Sequence, residues 1–588
     1  MTTPEVELPA AGGAGGHYGS DAVVDLLRAM GVRYVPLNPG SSFRGLHDSL
    51  VNHGGNRDPQ LLLCLHEEIA VSLAHGYAKA TGGLAVAAVH DLVGLMHASM
   101  AVYDAFCDRT PVLILGGSGP MDPALRRPVD WIHSATTQAQ LVRDFVVWDA
   151  EPATLAASIA DLVRARQRAL SAPRGPAYVS LDAGVQEQAR AAAPVPPDLG
   201  RHAPAPPVAA DSAAVDLAVD LLMRAERPVV IGGRIGLDPR STAPLVTLVE
   251  ALGAAYRDDR NCVVMPTAHP QNATGDATLL RDADVVLAVD VVDLPALLKA
   301  RGRGARDQAD DDRPAPAIID LSYGDLGLRS WSNAFAAPVE RTVQLLGDPL
   351  LGLAQLNAAL RRRLDAERQK RSRRVVRRRV SAPRARQWAA VEARWDDEPI
   401  SPARLVAETW RAVKDIEHLL CVRNTRTWPE GVWQFPGAGS YLGHSGGGGV
   451  GYGPGALAGG ALAARDRGQL GVGILGDGDL LMASGALWTA VHYAVPMLVV
   501  VNDNSSFYND EPHQAEVARH RGRPVENSWI GMRITEPSID IAALARSYGC
   551  WATGPVSEPS QLGAALDEAV GQARAGAVAV VHVRTAPQ

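Results

Sequence analysis

Short unbroken apolar runs recur along the chain, each followed by a stretch with helical spacing of its apolar residues. LAVAAV (Leu84–Val89), VLIL (Val112–Leu115) and AYVSL (Ala177–Leu181) lie in the first third of the sequence. PVVIGG (Pro228–Gly233), DVVLAVDVV (Asp284–Val292) and AIIDL (Ala317–Leu321) lie in the middle. LLCV (Leu419–Val422), GVGILG (Gly471–Gly476), PMLVVVN (Pro496–Asn502) and AVAVVHV (Ala577–Val583) lie in the last third. Strands that are apolar throughout rather than alternating, set between helices, predict parallel sheets covered on both faces. The expected fold class is α/β, with three doubly wound parallel-sheet domains whose ligands sit at the carboxyl ends of strands.

Two seams divide the pattern. AAAPVPPDLGRHAPAPPVAA (Ala191–Ala210) suits an extended linker, and the arginine-rich run Arg361–Arg386, helical in character, is closed by Pro383. The expected organisation is a flexible tail over 1–16, a first domain over 17–190, a Pro/Ala-rich linker over 191–210, a central domain over 211–355, a basic helical linker over 356–400 and a last domain over 401–588. The loop Arg301–Asp312 reads as a solvated insertion.

Composition narrows the class. The chain has 588 residues, 47% hydrophobic and 21% charged, with a net charge of -7, as expected for a globular protein of several domains with no polyanion partner. RRRLDAERQKRSRRVVRRR (Arg361–Arg379) is an electrostatic candidate for nucleic acid, but acids are interspersed and no aromatic residues interleave, so a solvated linker helix is expected and nucleic-acid binding is not. The five cysteines (Cys64, Cys107, Cys262, Cys421, Cys550) are scattered without a CxxC pair, arguing for a reducing compartment and against a zinc or disulfide framework. No apolar run is long enough for a bilayer, and the N-terminal residues lack the pattern of a signal peptide; a cytoplasmic protein without membrane contact is expected.

Candidate chemistry begins at LHEEIAVSLAHGYAKATG (Leu65–Gly82). Glu68, Ser72, His75 and Lys79 share one helical stripe, expected to be a solvated face, with Glu68 a surface acid. Glu67 lines up instead with Val71, Ala74 and Ala78, which places its carboxylate beside a packed surface, where it needs a partner. A first-turn acid favoured by the helix dipole explains Glu67 equally well at this point.

GVGILGDGDLLMASGALWTAVHYAVPMLVVVNDNSSF (Gly471–Phe507) weighs against that neutral explanation. One strand ends in Gly476-Asp477-Gly478-Asp479 and, after a helix, a second ends in Asn502-Asp503-Asn504-Ser505. In a parallel sheet both ends share one edge, so a carboxylate and an amide oxygen converge at a glycine turn, which suits a hard divalent cation and phosphate oxygens. Asp-Gly and Asn-Ser are also common turn residues. The complete strand–GDG–helix–strand–NDN arrangement resembles the thiamine-diphosphate signature of the acetolactate synthase and benzoylformate decarboxylase family. Further matches are His66-Glu67 with Gly76-Tyr77-Ala78, the turn NPGSS (Asn38–Ser42), and His90-Asp91-Leu92-Val93-Gly94 running on to His97.

The resemblance spans nearly the whole chain and implies pyrimidine-binding, central and diphosphate-binding domains in that order. It implies thiamine diphosphate with Mg2+ held by Asp477, Asn504 and the Ser506 carbonyl, and cofactor contacts from Glu67, Asn424, Gly449, Val450, Gly476, Gly478, Asp479 and Asn504. Val450, in GHSGGGGVGYG (Gly443–Gly453), matches the apolar prop beneath the cofactor and is smaller than the family's usual residue there. Glu67 matches the family's cofactor-activating glutamate; Ser41 and His90 match polar active-site positions; His444 is a further candidate without a firm match. The family also admits FAD, for which GGRIGLD (Gly232–Asp238) gives no support. The same glycine run contains G-x-G-x-x-G at Gly446, Gly448 and Gly451 but lacks the strand before it that a nicotinamide site requires. FYNDEPHQ (Phe507–Gln514) is positioned to cover the site, with Glu511 and His513 as candidates or as surface residues.

The implied activity is decarboxylation of a 2-oxo acid, carboligation through an enamine intermediate, or both. The alternative is C–C cleavage of a 2-hydroxyketone. The implied partners are a small carbonyl substrate and further copies of the chain, as a homodimer or homotetramer with active sites at the subunit interface.

Overall fold

The computed structural model describes residues 7–10, 15–192, 195–259, 262–276, 278–299, 315–324, 339–363, 381–423 and 428–587. The loop Arg301–Asp312, Asn424 and most of the basic run from Arg361 to Arg379 lie outside the described residues. Three parallel sheets carry the fold, and the chain divides into two compact units.

The first unit, residues 1–205, 416–426 and 445–588, contains the first and last sheets. Strands β1 (Tyr34–Leu37), β2 (Gln60–Leu63), β3 (Ala85–Val89), β4 (Val112–Ser118), β5 (Trp148–Ala150) and β6 (Ala177–Asp182) pair in parallel in the order β2-β1-β3-β4-β6-β5. Chain order reverses on either side of β1, so β1 and β3 flank a topological switch point, where a crevice opens at the strand ends. Helices α1 (Glu67–Thr81) and α2 (Asp91–Cys107) follow β2 and β3. Their apolar residues Val71, Ala74, Ala78, Leu95, Ala98 and Val102 are buried against the sheet.

The second unit, residues 206–415 and 427–444, holds β7 (Pro228–Gly232), β8 (Ala255–Asp258), β9 (Val285–Val289), β10 (Ala317–Ser322) and β11 (Val343–Leu346). They pair in parallel in the order β8-β7-β9-β10-β11. Its core is aliphatic, with Leu245, Leu248, Leu287, Ile319 and Leu356 fully buried.

The last sheet, in the first unit, comprises β12 (His418–Arg423), β13 (Leu470–Gly476), β14 (Met497–Asp503), β15 (Trp551–Val556) and β16 (Val578–Arg584), ordered β12-β13-β14-β16-β15. Helix α3 (Tyr452–Arg465) runs between β12 and β13, and α4 (Asp477–Met482) leaves β13 directly.

One expectation fails here. The stripe assigned to a solvated face, Ser72, His75 and Lys79, is buried, because α1 packs against α3. The approach is close: a Cβ on Gly455 would stand 2.7 Å from Ser72 Cβ, and one on Gly76 or Gly459 would collide with the facing backbone. Lys79 survives burial through Asp108, with Nζ 2.7 Å from the carboxylate and His75 Nε2 at 3.3 Å. Glu68 is half-buried and not a surface acid; burial, and then Asp479, raise its pKa. Helical phase separated the two glutamates correctly, but the second face meets protein instead of water.

Candidate active site

The first rim of the site forms where β1, β2 and β3 end. Glu67 opens α1 and is buried, in the first turn where the helix dipole favours a carboxylate. Its partner is His97, two turns into α2, with Nδ1 3.0 Å from Glu67 Oε2. His66, the residue capping α1, receives the Glu68 N–H at 3.2 Å and stacks on His97 with ring centroids 4.9 Å apart. Burial lowers the His66 pKa, Glu67 opposing and His97 adding to the effect.

Gly94 separates this group from a second one: a Cβ there would meet Glu67 Oε1 at 3.1 Å and His90 Cβ at 3.2 Å. His90 ends β3 and precedes α2, and the NPGSS turn after β1 reaches it across the switch point. Gly40 is required beneath its ring, where any Cβ would collide with the imidazole. Ser42 Oγ is 2.8 Å from His90 Nδ1 and also accepts the Asp91 N–H at 3.3 Å. Asp91 Oδ1 is 2.5 Å from the same nitrogen, and His133 Nδ1 is 3.2 Å from Nε2. Ser41, the expected residue of this turn, is exposed and receives Arg127 Nη2 at 3.2 Å. The serine that reaches His90 is its neighbour.

The second rim lies at the ends of β13 and β14, paired so that Gly476 faces Asn502. Asp477 is buried, its Oδ2 has no hydrogen-bond partner among the described residues, and burial followed by Asp503 pushes its pKa up to about 7. Asp503 is tied elsewhere: His582 Nε2 is 2.5 Å and Arg584 Nη1 2.8 Å from Oδ2. Burial acts to raise the Asp503 pKa, but the hydrogen bond from His582 and the Arg584 charge outweigh it and hold the group below its ordinary value. The Asn504 amide oxygen accepts the Ser506 N–H at 3.0 Å in a turn where Ser505 has φ of 54°. Asp479 Oδ1 accepts the Gly451 N–H at 2.7 Å and the Gly453 N–H at 3.3 Å, fastening the glycine run to the turn. Gly478 leaves room for the Phe507 ring, whose Cε1 a Cβ would meet at 2.6 Å.

A buried carboxylate oxygen without a donor, beside a neighbour already neutralised, is a place short of one cation. Asp477 and Asn504 offer hard oxygen donors to it, as Mg2+ prefers. The Ser506 hydroxyl is engaged with Glu511 Oε1 at 2.5 Å, which leaves its carbonyl as the oxygen available for such a role.

Other candidates fall outside these rims. Gly449 packs on α2, where a Cβ would meet Met100 Cγ at 2.8 Å, while the Val450 side chain is exposed. His444 is exposed and belongs to the second unit. Asn424 lies outside the described residues. Glu511 is buried beneath Ser506 at the start of a helix, Asp510–His520, and His513 on that helix is exposed. Ser42, Asp91, His97, His133 and the Asp503–His582 pair carry geometry that no motif role covered. For His97 a signal existed, seven residues after His90 and therefore on the same helix face; for His133, in a turn after β4, there was none.

Residues 17–140 match the family model described as thiamine pyrophosphate enzyme, N-terminal TPP binding domain. Residues 424–583 match its C-terminal TPP binding domain counterpart. The chain is 26% identical over 551 residues to the benzoylformate decarboxylase of Pseudomonas aeruginosa, covering 90% of this chain and 92% of that one. It is 25% identical over 560 residues to the acetolactate synthase large subunit of Parasynechococcus marenigrum, covering 90% and 82%. Among solved structures, the 4-hydroxybenzoylformate decarboxylase of Rhodococcus jostii superposes with a TM-score of 0.72 at 20% identity, covering 97% of this chain and all (100%) of that one.

Proposed function

The chain belongs to the thiamine-diphosphate-dependent enzymes of the acetolactate synthase and benzoylformate decarboxylase family, and we propose that it decarboxylates a 2-oxo acid and passes the product on as an aldehyde or to a second carbonyl. The observation that carries this reading is the contrast within one unit between Glu67, buried and met by an imidazole, and Asp477, buried with one oxygen unmet. The similar proteins include a benzoylformate decarboxylase, a 4-hydroxybenzoylformate decarboxylase and an acetolactate synthase, so 2-oxo acids head the substrate panel.

When bound, thiamine diphosphate supplies the carbon nucleophile and the electron sink that no side chain offers. Asp477, Asn504 and the Ser506 carbonyl would hold Mg2+ with the diphosphate, and the N–H groups of the GDGD turn would face phosphate oxygens. Glu67 would hold a proton against the aminopyrimidine ring, and His97 keeps that carboxyl in place. Ser42 and His133 fix the plane of His90, which is thereby oriented for proton transfer at the switch-point crevice. The reading takes a homodimer or homotetramer as the active unit and the reducing cytoplasm as its compartment, consistent with five cysteines that form no disulfide. Among the described residues no helix is long and apolar enough to cross a membrane.

The test is reconstitution of the full chain with thiamine diphosphate and Mg2+, followed by CO2 release from a panel of 2-oxo acids with and without acceptor aldehydes. Turnover that requires both additions is expected. Failure to consume any 2-oxo acid or 2-hydroxyketone refutes the reading.

A further inference from the structure

His90, the histidine that the family motif marks, has no ring nitrogen left for a substrate. Its Nδ1 is hydrogen-bonded to Ser42 Oγ at 2.8 Å, with Asp91 Oδ1 2.5 Å away as a charge contact only, and its Nε2 faces His133 Nδ1 at 3.2 Å. Its side chain is only 12% exposed. His133 is half-buried, and its Nε2 has no hydrogen-bond partner among the described residues. We propose that His133 is the outer member of a proton relay, His133–His90, beside the Asp91 carboxylate, and is the group that exchanges protons with the reacting molecule.

The proton positions follow from the contacts. Asp91 Oδ1 has no hydrogen-bond partner among the described residues, so a hydrogen on His90 Nδ1 goes to Ser42 Oγ and leaves Nε2 as an acceptor. His133 must then donate from Nδ1, and its Nε2 carries the outward lone pair. A proton taken up at His133 Nε2 is balanced by passage of the Nδ1 proton to His90 Nε2. The resulting positive charge rests on His90, against the Asp91 carboxylate, and the reverse sequence returns the proton. Ser42 completes the geometry, with Oγ accepting the Asp91 N–H.

The turn that carries His133 is held by its own contacts. Arg127 pairs with Asp130 at 2.8 Å and reaches Ser41 at 3.2 Å, Ser134 Oγ donates to the Asp130 carbonyl at 2.6 Å, and the His133 carbonyl accepts the Leu92 N–H at 3.3 Å. None of these uses the imidazole. Replacing the His133 side chain therefore removes the relay and leaves the turn docked.

The relay itself stands on these contacts, and its kinetic consequence rests on the proposed function. Two measurements separate them. In the cofactor-loaded protein, diethyl pyrocarbonate mapped by mass spectrometry modifies His133 before His90, and in His133→Ala it modifies His90 at an increased rate. Equal rates at His90 and His133 in the natural protein overturn the relay, whether or not any 2-oxo acid is consumed. In turnover, His133→Gln lowers kcat by about 10²-fold, the scale of a lost acid–base group, leaves the melting shift given by thiamine diphosphate and Mg2+ unchanged, and imidazole restores activity to His133→Ala. A natural protein without turnover refutes the proposed function and leaves the modification order to decide the relay. An active natural protein with His133→Gln at full kcat overturns the relay. So does a transition metal bound stoichiometrically by the natural protein and lost in His133→Gln, since two imidazoles and a carboxylate would then be ligands.

Discussion

The two rims in the first unit handle their buried carboxylates in opposite ways. At the ends of β1 and β3 each carboxylate lies beside an imidazole: Glu67 is hydrogen-bonded to His97, and Asp91 Oδ1, itself without a hydrogen-bond partner among the described residues, is 2.5 Å from His90 Nδ1. At the ends of β13 and β14 the acids crowd one another, and Asp503 is the one neutralised, by Arg584, with His582 hydrogen-bonded to it. Matched acid–base pairs move protons with little change in net charge, whereas a surplus carboxylate calls for a cation from outside. On the proposed function, one rim serves proton transfer and the other binding.

The sharpest way to break that contrast is to neutralise one acid on each rim. Glu67→Gln is expected to lose turnover by about 10²- to 10⁴-fold, the range for a positioned acid–base group, while keeping the rise in melting temperature that thiamine diphosphate and Mg2+ produce. Asp477→Ala is expected to lose that rise, which at ligand a hundredfold above Kd corresponds to about 2.7 kcal/mol. Calorimetry with and without cofactor, beside steady-state kinetics, separates the two. If Glu67→Gln abolished the melting shift and Asp477→Ala kept it, the assignment of roles would be reversed.

A second contrast lies in the α1–α3 contact, which holds the two sheets of this unit together through missing side chains. Gly459→Val forces a side chain against the Leu73 carbonyl and lowers stability by about 1–3 kcal/mol, the usual cost of overpacking. Gly468→Ala serves as the control. Gly468 has φ of 71° and meets nothing within 4 Å, so its replacement costs backbone strain without a collision. Denaturant unfolding of the two variants checks the difference, and equal losses would refute the collision.

Which parts of this were legible in the sequence follows from how each element is stabilised. The ten apolar runs became strands of the three sheets, within a residue or two at most ends, because a strand buried on both faces is written in its own residues. Several of the strands outside those runs lack that signature. Tyr34–Leu37 contains Pro36, Trp551–Val556 contains Gly-Pro, and the edge strand Val343–Leu346 alternates buried and exposed positions. At the site, the motifs pointed to Glu67, His90 and Asp477, which sit at strand ends or helix starts where local chemistry constrains them. They pointed to Ser41, one residue from the serine that meets His90, because a turn sequence does not specify which of two adjacent side chains turns inward. The polar stripe of α1 was misread as solvated because Gly76, Gly455 and Gly459, which admit the neighbouring helix, carry no polarity signal.

Smaller effects test how the glycine run is anchored. Asp104 on α2 accepts Ser445 Oγ at 2.6 Å and the Gly447 N–H at 2.9 Å, and burial, opposed by Ser445 and aided by Asp108, pushes its pKa up to about 7. A carboxyl raised in the folded state holds a proton that the unfolded chain has lost from about pH 4 upward. Its contribution to stability therefore falls as pH rises between about 4 and 7 and stays low above that window. Asp104→Asn keeps an acceptor for both donors and loses this slope, so its melting temperature gains on the natural protein across the window. A constant difference at all pH values would show that the carboxylate is not the cause.

Glu68 gives the smallest effect and the cleanest comparison, because it adjoins Glu67 and faces the other way. Its carboxylate lies towards Gly451 and Asp479, and burial, then Asp479, raise its pKa. By the same sign rule, its ionisation costs stability as pH rises above the ordinary glutamate range, and Glu68→Gln removes that cost. The half-exposed setting keeps the gain small through solvent screening. Glu68→Gln is therefore expected to retain turnover while melting slightly higher than the natural protein at neutral pH, with the difference vanishing in acid. If it instead lost turnover as Glu67→Gln does, the proton-transfer role would not be confined to the histidine-lined rim, because a carboxylate facing the binding rim would share it.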